Sequence, residues 1–377
     1  MRTSLHGTRL VSERPRSSRL RDLGRRGFTL LEVMVAIAIA AFVTAALYAT
    51  FSVQSRQFIT QDLQMEMNQN MRFAVDMVSR SVRMAGYGTS GYVTGVLGPS
   101  NPGNSSEANQ LPVIIPWDAN GANGTDAITV VYADPSLMMD SSNTVVEACG
   151  TTSITFRPGM MDNATKLTQF ESGDLLICFD YADMRGMETY MWEISGSPDL
   201  TSGAIPVSDN SGFTDYDAVC GSTENLTPVM TCSKANVYTF YVDDVSDGVG
   251  PGSPDHPTLM LDLDMDWPAD DDIPLVDDIE DLQFEYCLAG ASGTVDCSLA
   301  ANWVDGSSVT AATQAHDIWM VRMSLVARST REEPEDLYPG GRPALANRAA
   351  GSTGDHYLRQ YFSSEITVRN LRYQANL

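Results

Sequence analysis

Residues 28–51 read FTLLEVMVAIAIAAFVTAALYATF, and this stretch decides how the rest of the chain is organised. Its 24 residues hold a single charge, Glu32. As a helix rising 1.5 Å per residue it reaches about 36 Å, enough to cross a hydrocarbon core with some tilt. Eight arginines precede it (Arg2, Arg9, Arg14, Arg16, Arg19, Arg21, Arg25, Arg26) against Glu13 and Asp22, and the next basic residue is Arg56. That asymmetry places residues 1–27 in the cytoplasm and everything after the helix outside. A secretory signal has a shorter apolar core with a small-residue cleavage site behind it. A plain signal anchor explains the length and orientation but not Glu32. An acid costs roughly 2.5–3.5 kcal/mol at mid-membrane and less near the interface, so such a carboxylate calls for a partner.

Working outward, no Gly or Pro occurs between Phe28 and Ala85, so nothing interrupts the helix. Past Arg56 the positions Met67, Met71, Ala74, Val75, Val78, Val82 and Ala85 follow steps of three and four among Gln, Asn, Asp and Arg. One apolar stripe on a wet helix lies against a globular body. Met65, Met67, Met71, Met77 and Met84 read as core filler at helical spacing rather than a binding surface. Gly86-Tyr87-Gly88 supplies the stop. The expected helix has about 58 residues and is about 87 Å long. The resulting division is a basic leader over 1–27, a membrane-spanning helix over 28–51, its amphipathic continuation over 52–86, and a head over 87–377.

The head is acidic. Beyond the leader the chain carries 16 basic against 46 acidic residues, a net of −30. Such a body repels nucleic acid and anionic lipid, so no nucleic-acid partner is expected. Strands are expected at 127–132, 152–156, 175–180, 189–194, 237–242, 258–263, 279–286, 318–327 and 363–370, separated by turn-rich segments rather than helical patterns. An α+β fold follows: a long N-terminal helix packed on a mostly antiparallel sheet. Residues 99–110 and 333–354 read as irregular, exposed loops. In 275–286 the alternation changes phase between Ile279 and Leu282, which calls for a bulge or turn.

All six cysteines (Cys149, Cys178, Cys220, Cys232, Cys287, Cys297) follow the apolar segment, which fits disulfides in an oxidising compartment. Cys287 and Cys297 flank a Gly/Ser-containing loop and are expected to pair. Proximity suggests Cys220–Cys232 and Cys149–Cys178, among the fifteen pairings that six cysteines allow. No catalytic motif of the zincin, nucleophile-elbow, phosphate-loop or dinucleotide type is present, and no enzyme or cofactor is expected. The four histidines (His6, His256, His316, His356) offer little for zinc, and the sequence neighbours His316-Asp317 and Asp255-His256 point to opposite faces of a strand. The run Asp262-Leu263-Asp264-Met265-Asp266-Trp267 begins like an EF-hand loop. However, Trp267 stands where glycine is required and Ile273 where glutamate is. It reads as a solvated acidic face, with Asp243, Asp244, Asp247, Asp262, Asp264 and Asp266 as weak calcium candidates.

Gly27-Phe28-Thr29-Leu30-Leu31-Glu32-Val33 resembles the type IV prepilin motif. The resemblance implies cleavage by prepilin peptidase between Gly27 and Phe28, N-methylation of Phe28, and Glu32 as the carboxylate that neutralises the new amine of a neighbouring subunit. The run Met77–Tyr87 ending in Met-Ala-Gly-Tyr, the segment Leu275–Tyr286, and the stretches Val321–Ser329 and Tyr361–Leu371 resemble the PilW family of minor pilins. That resemblance implies a minor pilin in type IV pilus assembly or initiation. Its partners are then other minor and major pilins, prepilin peptidase and the inner-membrane assembly platform. The helix is held in the inner membrane with the head in the periplasm, and later sits in the pilus at the cell surface. A type II secretion pseudopilin of the J type shares the same plan, and a pilus-tip adhesin or ligand-binding subunit is a further alternative.

Overall fold

The computed structural model describes residues 27–89, 91–95, 110–137, 146–149, 152–156, 167–180, 189–208, 230–244, 256–263, 272–288, 296–309, 317–332, 341–351 and 355–371. The chain divides into two units, residues 1–60 and 61–377.

One helix, α1, runs Leu30–Met84 without a break. In the first unit its described residues are almost wholly exposed, Phe28, Leu30, Ile37, Phe42, Tyr48, Phe51 and Phe58 among them. Its most apolar window has a mean hydropathy of 2.5 and none of it is buried. The second unit begins within the same helix, where Leu63, Met67, Met71, Ala74, Val78 and Val82 are buried. These sit at steps of three and four, and from Met67 onward they join the main core of the head. Burying the five larger of these side chains contributes roughly 8–15 kcal/mol, an upper estimate because unfolded chains already shield some surface. The expected stripe is thus the packed face, with Val75 only partly buried. The methionine reading holds for Met67 and Met71, whereas Met65 is 55% exposed. Gly86 ends the helix with φ +77°, and its N–H donates to the Val131 carbonyl at 2.9 Å. The Asn370 amide donates to the carbonyls of Arg83, Met84 and Ala85 (3.1–3.4 Å), satisfying the orphan acceptors of the last turn.

The head holds three sheets among the described residues. The largest contains β1 (Tyr92–Gly95), β2 (Gln110–Pro112), β3 (Ile114–Trp117), β4 (Ala127–Ala133), β7 (Leu175–Asp180), β8 (Thr189–Glu193), β10 (Met230–Asp243), β11 (Thr258–Asp262) and β12 (Ile273–Val276). The long strand β10 ties it together, pairing with β7, β4 and β11 along successive parts of its length. A small sheet has β5 (Val146–Cys149), β6 (Ser153–Phe156) and β9 (Ala204–Pro206). The last runs in the order β14 (Trp303–Asp305), β13 (Ile279–Leu288), β15 (Ile318–Arg328), β16 (Arg359–Thr367). Among the described strands, every pairing is antiparallel except β1 with β8. All nine expected strands are present. The last lies earlier than expected, at Arg359–Thr367. The register of β13 shifts between Ile279 and Asp281, as the phase change required, and Ile279, Leu282, Phe284 and Tyr286 are all buried.

Two disulfides are present among the described residues. Cys287–Cys297 closes the expected loop. The other is Cys178–Cys232, which overturns the expected pairs Cys149–Cys178 and Cys220–Cys232. Cys178 and Cys232 stand directly opposite in the β7–β10 ladder with Cα atoms 4.0 Å apart, so sheet register rather than nearness in sequence selects the partner. Cys220 lies outside the described residues.

Candidate functional site

At the start of α1, Thr29 and Glu32 bond reciprocally. The Thr29 N–H and hydroxyl both donate to Glu32 Oε2 (3.1 and 3.2 Å), and the Glu32 N–H donates to the Thr29 hydroxyl (3.2 Å). This is a capping box, in which the N-cap threonine and the N3 glutamate satisfy backbone donors that the first turn leaves unpaired. Phe28 and Val33 occupy the N′ and N4 positions that flank such a cap. The signature T-x-x-E stands openly in the sequence, yet weighing Glu32 as a membrane charge passed over it. Glu32 Oε1 accepts no hydrogen bond from the described residues. The carboxylate therefore holds its own helix start through Oε2. Its position also suits the positive end of the helix dipole.

In the head, β13 is the hub, and its acidic residues serve the packing. Asp281 is fully buried, and both of its oxygens meet guanidinium groups at 2.6 Å: Oδ2 from Arg342 and Oδ1 from Arg348. Gln283 adds an amide donor to Oδ1 at 3.1 Å. The arginines are used further, Arg342 on the Ala349 carbonyl and Arg348 on that of Asn123. Asn347 reaches Asp118 Oδ1 at 3.0 Å. Residues 341–351, expected as an exposed loop, are therefore clamped onto β13, with Leu345 2% and Arg342 8% exposed. Each arginine in that segment finds a buried carboxylate, and desolvation of the set is offset by the paired, hydrogen-bonded geometry.

The neighbouring Asp126 joins β4 to β13. Its Oδ1 accepts from the Ala119 N–H and its Oδ2 from the Phe284 N–H, both at 2.9 Å. Burial pushes its carboxyl up to about 7, against the opposing pull of those two donors. Tyr286, on the same strand, is buried with its hydroxyl unpartnered among the described residues, and burial raises it well above the usual phenol range. At the other end of β13, Asp278 takes a positive φ of 63° and bonds His256 Nδ1 at 2.8 Å. His256 is thereby engaged by a strand-end carboxylate. Arg359 pairs with Glu280 and Asp355, and Arg322 bridges Glu285 and Glu365 across three strands.

Of the calcium candidates, Asp243, Asp244 and Asp262 fall among the described residues. Asp243 pairs in register with Thr258 and Asp262 with Thr239, so the two stand at opposite ends of the β10–β11 ladder. Asp244 bonds Asn123. Asp247, Asp264 and Asp266 lie outside the described residues, as do Asp255 and His316. No group of three or more potential metal-ligating side chains occurs among the described residues.

A helix presenting a bare apolar half with a capped, carboxylate-bearing start thus continues into a β-rich head. The comparisons with known proteins give the family signatures at both ends of that arrangement. Residues 23–48 match the prokaryotic N-terminal methylation motif, and residues 239–370 match the family of type IV pilus-assembly protein W. The second match covers β11 to β16, including the hub strand and its clamp, and the first covers the capping box. No curated protein matches the chain. Among solved structures, the type IV-like pilin TTHA1219 from Thermus thermophilus is similar at 11% identity, covering 57% of this chain and 100% of its own, with a TM-score of 0.18. A TM-score that low carries no argument for the fold, which rests on the helix and sheets themselves.

Proposed function

We propose that this chain is a minor pilin that takes part in assembling or initiating a type IV pilus. Prepilin peptidase cuts between Gly27 and Phe28, Phe28 is methylated, and α1 is held in the inner membrane with the head in the periplasm until the subunit enters a filament. The observation that carries this reading is the pairing, on one chain, of the capped and exposed apolar helix with a W-type pilus-assembly segment. Cleavage leaves a cationic amine one residue from Thr29, at the positive end of the helix dipole where a cation is disfavoured. In a filament of apolar helices, the spare Oε1 of Glu32 neutralises such an amine on a neighbour. Partners are then other major and minor pilins and the inner-membrane assembly platform.

Deletion of the gene tests the role. The proposal expects fewer surface pili and loss of twitching, restored by the wild-type gene. Unchanged pilus number and motility, with a defect in protein secretion instead, assigns the chain to a type II secretion machine.

A further inference from the structure

We infer that the groove between the end of α1 and the segment after β16 binds a carboxylate-rich segment of a protein partner. It is a cavity of about 510 Å³ lined by Asp76, Arg80, Arg83, Met84, Arg369 and Asn370. Its charge is the reverse of its surroundings, because residues 87–377 carry 12 basic against 42 acidic residues. Elsewhere among the described residues of the head, every lysine and arginine except the exposed Arg331 is matched by a carboxylate. Lys234 meets Asp174, Arg322 meets Glu285 and Glu365, Arg328 meets Asp278, Arg342 and Arg348 share Asp281, and Arg359 takes Glu280 and Asp355. Arg83 and Arg369 are exposed and have no ion-pair partner among the described residues. What distinguishes Arg83 and Arg369 in so acidic a body is that both line one groove.

A bland account would have these arginines serve the negative end of α1. The Asn370 amide already takes the carbonyls of Arg83, Met84 and Ala85, and Gly86 closes the turn. The same contacts hold the backbone of Arg369 beside the last helical turn, so the two guanidinium groups share the groove by construction. Arg80 adds a third. Its partner Asp76 is an exposed i,i+4 neighbour at 2.8 Å, with side chains 72% and 66% exposed. A pair that exposed contributes little and exchanges readily for an incoming carboxylate. Three guanidinium forks suit bidentate carboxylates.

The charge distribution selects the kind of partner. An anionic bilayer or nucleic acid presents an extended lattice of charge and meets the acidic remainder of the head as well as the groove. An acidic loop of a neighbouring protein reaches the arginines locally, within a screening length of about 8 Å at physiological salt.

The test uses the full-length protein in a neutral detergent, with a fluorescent hexaglutamate peptide followed by anisotropy. The peptide is expected to bind at low ionic strength and to be released as salt rises. Arg83→Glu combined with Arg369→Glu should weaken binding at least tenfold, and the corresponding Gln pair should weaken it less. Arg72→Glu, exposed on the same helix but outside the groove, should leave binding unchanged, and all variants should keep the wild-type melting curve. Absence of peptide binding at low salt, equal binding by the double Glu variant, or tighter association with phosphatidylglycerol vesicles than with the peptide overturns the inference.

Discussion

Removing the Asp281 carboxylate should cost the head more than any single loss among its charged residues. Asp281 is 0% exposed, and it faces Arg342 at 8% and Arg348 at 19% side-chain exposure. Asp281→Ala leaves two guanidinium groups facing a vacated, dry position, and breaking a buried pair from one side costs about 3–5 kcal/mol. For a domain of this size each kcal/mol moves the midpoint roughly 2–4 °C, so a fall on the order of 10 °C is expected. Arg348→Met should cost less, roughly 1–3 kcal/mol, because Arg342 still answers the carboxylate. Replacing all three by Leu, Met and Met should recover most of the loss, since an apolar set of similar volume substitutes for a buried ion group. All five tryptophans lie beyond residue 86, so intrinsic fluorescence of the full-length protein in detergent reports the head alone. An Asp281→Ala loss below about 1 kcal/mol, or one equalled by Arg348→Met, would refute the view that the clamp on β13 is held by this carboxylate.

Three further outcomes are expected. Digestion of the unreduced protein should yield linked Cys178–Cys232 and Cys287–Cys297 peptides. Removing the first bridge should cost roughly 4 kcal/mol and the second roughly 3, in line with the longer loop closed by the first. Asp126 holds its proton in the folded head up to about pH 7 but loses it near the ordinary carboxylate range when unfolded. Stability should therefore fall as pH rises from about 4 to about 7 and level off above, by up to about 4 kcal/mol. Urea titrations of Asp126→Asn should show a shallower slope across that window, and an identical slope counts against the assignment. Val78→Ala, at a fully buried position of the helical stripe, should cost about 1–3 kcal/mol in the same fluorescence assay, whereas Arg72→Ala on the exposed face should cost under about 0.5.

The helix was legible because its signals are local: no breaker before Gly86, an apolar half with one acid, and a stripe with a period that survives 20 residues. The strongest strands were legible for the same reason. Strand β3, Ile114–Trp117, was not, since Pro116 speaks against a strand and nothing local shows that it pairs with β4. The start of β16 was hidden by Arg359, a charge at the head of a strand that becomes intelligible only once Glu280 and Asp355 surround it. Nothing local to Asp281 marks it as the anchor of a buried ion group. Its arginines lie 61 and 67 positions away, in a stretch with the composition of an open loop. The Cys178–Cys232 bridge depends on the β7–β10 register across 54 residues, which proximity in sequence cannot anticipate. At the N-terminus the T-x-x-E spacing was legible, and the geometry shows Thr29 and Glu32 bonded reciprocally.

The proposed processing of this helix start is read at the mature N-terminus. Mass spectrometry of the protein purified from its own membranes should find a chain beginning at N-methylated Phe28. A chain that retains residues 1–27, or begins at any residue other than Phe28, contradicts the account.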